Sequence, residues 1–410
     1  MNTNRETTLN RIAGTLVIGI IMLLACCSDN VPNDSTKEAT EKVLSQMMQE
    51  NWSRYMDKFP GLNGGITLYI LKDGGNTELF TTTGLPSDVT PNSRFRAASI
   101  TKTLTAAAIM LLDQEGKLSI DDTIGSTIPG SEEPYLPNTP AFAIPNREVI
   151  TIRQLLSHTA GVYDIGNSPI PPDRDQPYAG TSYIVWKMEQ DSWHTVTIEE
   201  AASVLSENNL CYNFLPGEDF QYSDTGFTLL AGIIERVSGK SYGEYVMEKL
   251  LRPNGMTYSY LPFRGDDQTM PEPVLPGFVY YDGQNTPVES DNISFQLGNG
   301  NLVTTSRDLA KWGRALYSGK GGVDTEHVKQ MTTVVSPMQI GGYGLGTIYS
   351  EGLGYGHSGG IVGYLSFMLS QPEEDFTIVI VCNVLNAYDS EGQLGALKQI
   401  AFEARSLVFK

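Results

Sequence analysis

The sequence predicts an α/β (α+β) fold: an antiparallel sheet assembled from both ends of the chain, flanked by helices, with an inserted helical subdomain. Three observations predict it. Residues 65–71 and 79–83 read as two strands joined at Asp73-Gly74-Gly75, a hairpin signal. Residues 343–349, 361–369 and 376–384 alternate or run apolar, with a turn at Pro372-Glu373-Glu374-Asp375 before the last, which reads as an antiparallel meander. Between these ends the apolar residues recur at helical spacing, and strands at both ends with helices between favour one sheet with an insertion.

Each element has its own signature. Residues 39–57 place Val43, Met47, Trp52 and Met56 at helical intervals. Residues 99–115 form a stronger helix, with Ile100, Leu104, Ala108, Leu111 and Leu112 on its buried face and Gly116 as its stop. A short helix covers 152–158. Residues 163–195 are rich in Pro, Asp, Tyr and Gly and read as a long surface insertion whose aromatics Tyr163, Tyr178, Tyr183 and Trp186 either pack on one another or reshape a cleft. Further helices are predicted from 199 to 205 and from 227 to 237, the latter closed by Gly239. Ser306 is expected to cap a helix that runs to Tyr317, and a final helix covers 391–407. The domain plan is therefore a leader over 1–25, a tether over 26–38 and one catalytic-sized domain over 39–408. Its sheet part comes from 39–98 and 300–408, and its helical subdomain from 99–299.

Composition narrows the function classes. The chain has 410 residues, 40% apolar and 18% charged, enough for a packed core and unlike a coiled coil or a disordered chain. Its net charge is −19, and removal of residues 1–25, with Arg5, Arg11 and Glu6, leaves about −20. Such a surface is repelled by nucleic acid and by anionic lipid, so a nucleic-acid partner is not expected. The leader has Arg5 and Arg11 before an apolar run from Ile12 to Ala25, too short to span a bilayer comfortably and the right length for a signal-peptide core. It ends Leu23-Leu24-Ala25-Cys26, which resembles a bacterial lipoprotein processing box. Cys26 is then the lipidated first residue, and the protein is expected in the cell envelope, exported and held at a membrane by its lipid. Of the remaining cysteines, Cys382 sits in an apolar run and is expected to be a buried small hydrophobe; one bridge with Cys211 stays open.

Three segments carry chemistry. Ser99-Ile100-Thr101-Lys102 is the sole Ser-x-x-Lys in the chain. Residues three apart on a helix share a face, and a serine hydroxyl needs a proton acceptor before it becomes a nucleophile. A lysine supplies one when burial and the positive helix N-terminus lower its pKa. The tetrapeptide alone is weak, since about one is expected by chance at this length. Tyr222-Ser223-Asp224 precedes a helix, and a tyrosine near an ammonium can ionise and serve as base or acid. His357-Ser358-Gly359-Gly360 is placed at the start of a strand, where a backbone N–H, that of Gly360, could stabilise an oxyanion beside that of Ser99.

Ser-x-x-Lys, Tyr-Ser-x and His-Ser-Gly in this order resemble the class C β-lactamase and D-alanyl-D-alanine carboxypeptidase superfamily of serine hydrolases. The segments SHTAG at 157–161, LPGEDFQYSDTGFTLLAGIIERVSGKSY at 215–242, LLRPNGM at 250–256 and GNGNLVTTSRDLAKW at 298–312 are similar to stretches of that family, and the likeness covers roughly residues 40–407. The resemblance implies a β-lactamase/transpeptidase-like fold and an acyl-Ser99 intermediate. It gives Lys102 the task of helping deprotonate Ser99 and Tyr222 that of general base. Asp224, His357, Ser358, Gly359 and Gly360 bind substrate, and no metal or organic cofactor is required. The implied partners are small molecules or peptides: D-amino-acid peptides such as peptidoglycan stems, small esters or β-lactams. Asp224 stands where the family usually has Asn, and His357 where it usually has Lys. An ionised Asp224 should favour the charged ammonium of Lys102 and shift the burden of the base to Tyr222. A neutral His357 should attract a substrate carboxylate less than lysine does. A penicillin-recognising peptidase or esterase-like hydrolase is the first expectation, a β-lactamase proper the second. A binding protein that kept the fold and lost turnover is the alternative from another class.

Other catalytic patterns fail. Gly356-x-Ser358-x-Gly360 fits a nucleophile elbow, but no histidine follows Ser358. No His-Glu-x-x-His exists for zinc. Gly341 to Gly346 opens a strand and not the helix that a phosphate loop needs. His158 is expected to be a local structural residue, and His194 and His327 surface residues.

Overall fold

A computed structural model describes residues 34–338 and 341–409. The leader, Cys26 and the first part of the tether lie outside them. Helix α1 spans Asp34–Met56, so residues 34–38, expected in the tether, are already helical. Leu44, Met48, Trp52 and Tyr55 recur on one face of α1 and are buried.

Strands β1 (Ile66–Lys72) and β2 (Thr77–Thr83) form the expected hairpin through a turn at Asp73–Gly75. After the short β3 (Arg94–Arg96) comes α2 (Thr101–Gln114). The inserted region holds α3 (Ile152–Leu156), α4 (Tyr183–Gln190), α5 (Ile198–Glu207), α6 (Asp224–Ser238) and α7 (Tyr242–Val246). A hairpin of β4 (Gly277–Tyr281) and β5 (Gln284–Val288) follows, then β6 (Val303–Thr305), α8 (Ser306–Tyr317) and α9 (Thr325–Thr332). The chain returns to the sheet with β7 (Ser336–Met338), β8 (Gly341–Tyr343), β9 (Ile348–Ser350), β10 (Gly354–Ile361), β11 (Tyr364–Gln371) and β12 (Phe376–Cys382). It ends with β13 (Val384–Asn386) and α10 (Ser390–Val408).

The main sheet has the order β2-β1-β12-β11-β10-β9-β8-β7. The N-terminal hairpin joins the C-terminal meander through β1 and β12, antiparallel, with Ile66 opposite Cys382 and Lys72 opposite Phe376. Side chains of a strand alternate between faces, and both faces are covered here. Ile66, Leu68 and Ile70 pack into the core under α1 and α10, whereas Tyr69 and Leu71 enter the larger core that includes α2 and α8. Double coverage explains why these strands read as apolar runs.

Several boundaries differ from expectation. The stretch 343–349 is two strands, because the chain turns at 344–347 between β8 and β9. The stretch 361–369 crosses the β10–β11 hairpin, so His357-Ser358-Gly359 lies in the body of β10 and not at a strand start. Thr305, not Ser306, caps α8: its side chain accepts from the N–H of Asp308. The small sheet β13-β4-β5, with β13 parallel to β4, is built from the inserted region and the C-terminal end, and sequence periodicity did not reveal it. The 163–195 insertion is partly helical. Tyr178, Tyr183 and Trp186 cluster with ring centroids 5.0 to 6.0 Å apart, and Tyr178 and Tyr183 are buried. Cys382 is buried as expected, and Cys211 is exposed and unpaired with it.

Candidate active site

Helix α2 is buried on all sides from Thr101 to Leu112, its threonines and Lys102 included. Among residues 95–112, Ser99 is the single one that is not buried. It lies in a tight turn at Ala98–Ile100 that leads into α2. Ala98 takes φ 49°, a left-handed conformation that costs an alanine energy and persists where the surroundings enforce it. Two close approaches enforce it here. A Cβ on Gly359 of β10 would lie 2.1 Å from the carbonyl oxygen of Ala97, so only glycine lets β10 press against the turn. A Cβ on Gly346, at φ 60°, would lie 2.9 Å from the carbonyl of Lys102, which brings the β8–β9 connection onto α2.

Lys102 is fully buried one helical turn from Ser99. Its Nζ donates to Ser99 Oγ at 3.1 Å and to the carbonyl of Asn299 at 2.8 Å, and it forms an ion pair with Asp224 Oδ1 at 2.6 Å. Three acceptors match the three N–H bonds of an ammonium. Burial pulls its pKa down, and the negative charges of Asp224 and Asp164 oppose that pull. Tyr222 is half-buried as a residue, but its phenol lies deep beside Ser99. The Lys102 ammonium stands 4.8 Å from the centre of the Tyr222 ring. Burial, reinforced by Asp224, pushes the phenol well above its ordinary pKa, and the neighbouring Ser99 only partly offsets this.

Asp224 pairs with Lys102 as foreseen, yet desolvation outweighs it, so the lysine is the group whose pKa falls. The tyrosine is the group held in its neutral form. Both shifts share one cause, since burial penalises whichever form carries charge.

Ser99 opens onto a groove whose lining includes Asp164, Asn167, Asp224, Phe295, Gln296 and Gly360. Of the His-Ser-Gly-Gly segment, Gly360 alone lines it. Ser358 is half-exposed on β10, and Gly359 is taken up by its contact with the turn that holds Ser99. His357, expected to meet substrate, is buried and faces Tyr343 and the carbonyl of Ser358. Burial pulls its pKa down to about 3, with Lys102 adding to the effect. Its place in the interior is thus the opposite of a substrate-facing cation.

Four participants were not foreseen from the sequence. Asn299 contributes a main-chain carbonyl, which leaves no side-chain signature. Asp164, from the insertion, is buried, accepts from the N–H groups of Gly166 and Asp224 and binds the amide of Asn167, which also reaches Asp224. Burial and Asp224 push its pKa up. His158, expected to be merely local, stacks on Tyr222 with ring centroids 4.1 Å apart. Tyr343, within the segment rejected as a phosphate loop, bridges His158 and His357. His194 and His327, expected at the surface, are partly buried in contacts with Glu200 and with Asp113 and Asp324. Among the described residues no cluster of His, Cys, Asp and Glu is arranged to hold a metal.

Comparison with known proteins agrees with this geometry. The chain is 27% identical over 325 residues to Penicillin-binding protein 4* of Bacillus subtilis, covering 75% of this chain and 64% of that one. It is 27% identical over 307 residues to Protein flp of Staphylococcus aureus, covering 73% and 54%. The chain therefore matches less than two thirds of the length of these curated relatives. Among solved structures, a D-stereospecific amidohydrolase from Streptomyces superposes with a TM-score of 0.69 at 25% identity, covering 89% of this chain and 98% of that one. A penicillin-binding protein homologue from Pyrococcus abyssi gives 0.64 at 27%, covering 91% and 77%. The Beta-lactamase family model matches residues 54–400, the stretch that carries Ser99, Lys102, Tyr222 and the β10 edge, and the chain belongs to that family.

Proposed function

We propose that this chain hydrolyses D-amino-acid amides, peptides or small esters through an acyl-Ser99 intermediate. One observation carries the reading: the hydroxyl of Ser99, on the wall of the groove, is held 3.1 Å from the amine of a fully buried lysine. Lys102, in its free-amine form, takes the Ser99 proton as Oγ attacks the substrate carbonyl. The N–H groups of Ser99 and Gly360 face the developing oxyanion. The neutral Tyr222 phenol gives its proton to the departing amine or alcohol and is reprotonated from Lys102, which closes the proton balance. Water then releases the acyl group by the reverse sequence.

The groove favours substrates without a free carboxylate beside the scissile bond. Asp164 and Asp224 line it, none of its lining residues is Lys or Arg, and His357 stays neutral and out of contact. Lys102 is already paired with Asp224. A substrate carboxylate would meet like charge without a counter-ion, whereas an amide, an ester or a free ammonium would not. The likeness to a D-stereospecific amidohydrolase supports the same class. In a panel, kcat/KM for D-alanine p-nitroanilide should exceed that for a free-carboxylate D-Ala-D-Ala peptide by about tenfold, the size of one unfavourable charge contact of about 1.4 kcal/mol. A faster carboxylate-ended peptide would reject the charge argument, and efficient cephalosporin turnover would make the protein a β-lactamase. Failure of every acyl donor to form an adduct would make it a binding protein.

Asp224 offers a pH test. Its charge holds the Lys102 pKa up against burial. Asp224→Asn removes that charge, so Lys102 loses its proton at lower pH, and the acid-side rise of kcat/KM should move down by about one pH unit. The new amide also restores a donor toward substrate and should raise β-lactam turnover. A pH profile that does not move would exclude Lys102 as the base.

A further inference from the structure

Behind the groove, buried hydrogen bonds run in one direction. The N–H of Ser223 donates to His158 Nδ1 at 3.1 Å. That nitrogen must be unprotonated, so His158 carries its proton on Nε2. His158 Nε2 lies 3.1 Å from Tyr343 Oη, and Tyr343 Oη lies 3.1 Å from His357 Nε2. At the far end His357 Nδ1 is 2.6 Å from the carbonyl oxygen of Ser358, which can only accept. His357 therefore carries its proton on Nδ1, its Nε2 is an acceptor, and Tyr343 donates to it. Every donor meets one acceptor from Ser223 to Ser358, with both imidazoles neutral.

We propose that His158 and Tyr343 are positioning residues for acyl transfer: this chain of bonds ties the segment carrying Tyr222 to the strand carrying Gly360 and so fixes the proton donor and the oxyanion wall on either side of Ser99. The inference rests on the proposed roles of Ser99, Lys102 and Tyr222. The two ends of the chain are the immediate neighbours of the groups it places. Ser223 follows Tyr222 and caps α6, and Ser358 lies two residues before Gly360 on β10. His158 also covers the Tyr222 ring, and Phe220, Phe227 and Tyr343 enclose His158 with ring centroids 5.9, 5.0 and 4.8 Å away. His158 itself is held at φ 58°, a conformation a bulky residue rarely keeps without cause.

The groups that face the chain reinforce its neutrality. Lys102 of α2 lowers the pKa of both imidazoles after burial has done so. Asp224 of α6 acts on His357 in the opposite sense, and Tyr222, Asp224 and Tyr317 add to the burial that keeps the Tyr343 phenol protonated. Removing the Tyr343 hydroxyl leaves the lone pair of His357 Nε2 without a donor, and a proton from solvent becomes the remaining way to satisfy it. His357 then titrates at a higher pH than in the intact protein.

Long-range proton–nitrogen NMR of the protein, which has four histidines, reads the chain directly. At pH 7 His158 should be the Nε2–H tautomer and His357 the Nδ1–H tautomer, with neither titrating between pH 5 and 8. The opposite tautomers, or a charged imidazolium at either site, would overturn the proposal whatever the activity. Tyr343→Phe should lower the rate of Ser99 acylation by D-alanine p-nitroanilide about tenfold or more with little change in KM. In the same variant His357 should titrate at a higher pH than in the wild type, read from its ring nitrogen shifts. His158→Asn tolerates the left-handed backbone and keeps an acceptor for Ser223 but cannot reach Tyr343, so it should lose rate, together with some Tm for the ring contacts it gives up. His158→Gln, whose amide can reach Tyr343, should recover part of the loss. Wild-type rates and an unmoved His357 titration in Tyr343→Phe would overturn the proposal. Absence of acylation in the wild type would instead count against the proposed function, and the tautomers would still decide the chain.

Discussion

Replacing Ser99 with alanine is expected to abolish covalent acylation and to cut turnover by roughly 10³-fold or more, because the proposed acyl intermediate forms on its hydroxyl. The fold should survive. Ser99 reaches solvent, it sits in a turn that already holds Ala97 and Ala98, and alanine suits the start of α2. Removing one hydroxyl leaves Lys102 with two of its three acceptors, Asn299 and Asp224. Mass spectrometry after incubation with an activated ester or a fluorescent penicillin reads the result. An adduct of unchanged mass and rate in Ser99→Ala would place the nucleophile on another residue and remove the basis of the mechanism.

Lys102→Met should be nearly as damaging to activity and more costly to stability. Methionine has a similar volume and suits a fully buried helical position. It supplies neither the proton acceptor for Ser99 nor the proton that restores Tyr222, and a loss of about 10²–10⁴-fold follows from the size of general acid–base effects. It also strands Asp224. Breaking a fully buried ion pair costs about 3–5 kcal/mol, but the side chain of Asp224 is 24% exposed and water can reach it, so the loss should fall below that range. The Asn299 carbonyl loses its partner as well. Adding Asp224→Asn to Lys102→Met should restore stability without restoring activity. Thermal unfolding of the two variants checks the sign: a double variant no more stable than the single one would mean that the stranded carboxylate is not the cause.

The sequence by itself was enough for the frame of this protein. The hairpin over 66–83, the apolar strand β12 and the helix after Ser99 are written in local periods, and local periods survive without knowledge of distant partners. The motif order likewise pointed to Ser99, Lys102 and Tyr222, because helical spacing alone sets a serine and a lysine side by side. Other features depend on contacts across hundreds of residues. The β13-β4 pairing joins segments that no periodicity connects. The carbonyl of Asn299 and the carboxyl of Asp164 reach the site only once the insertion and the 298–305 segment fold against α2. His357, read as a substrate-facing stand-in for lysine, turned inward because β10 presses against the Ser99 turn and buries that side of the strand. Burial acts on the proton carriers in the same way: the desolvation of Lys102 and Tyr222 is a property of the packed core, and on Lys102 it outweighs the charge of Asp224, the one influence that chain order made visible.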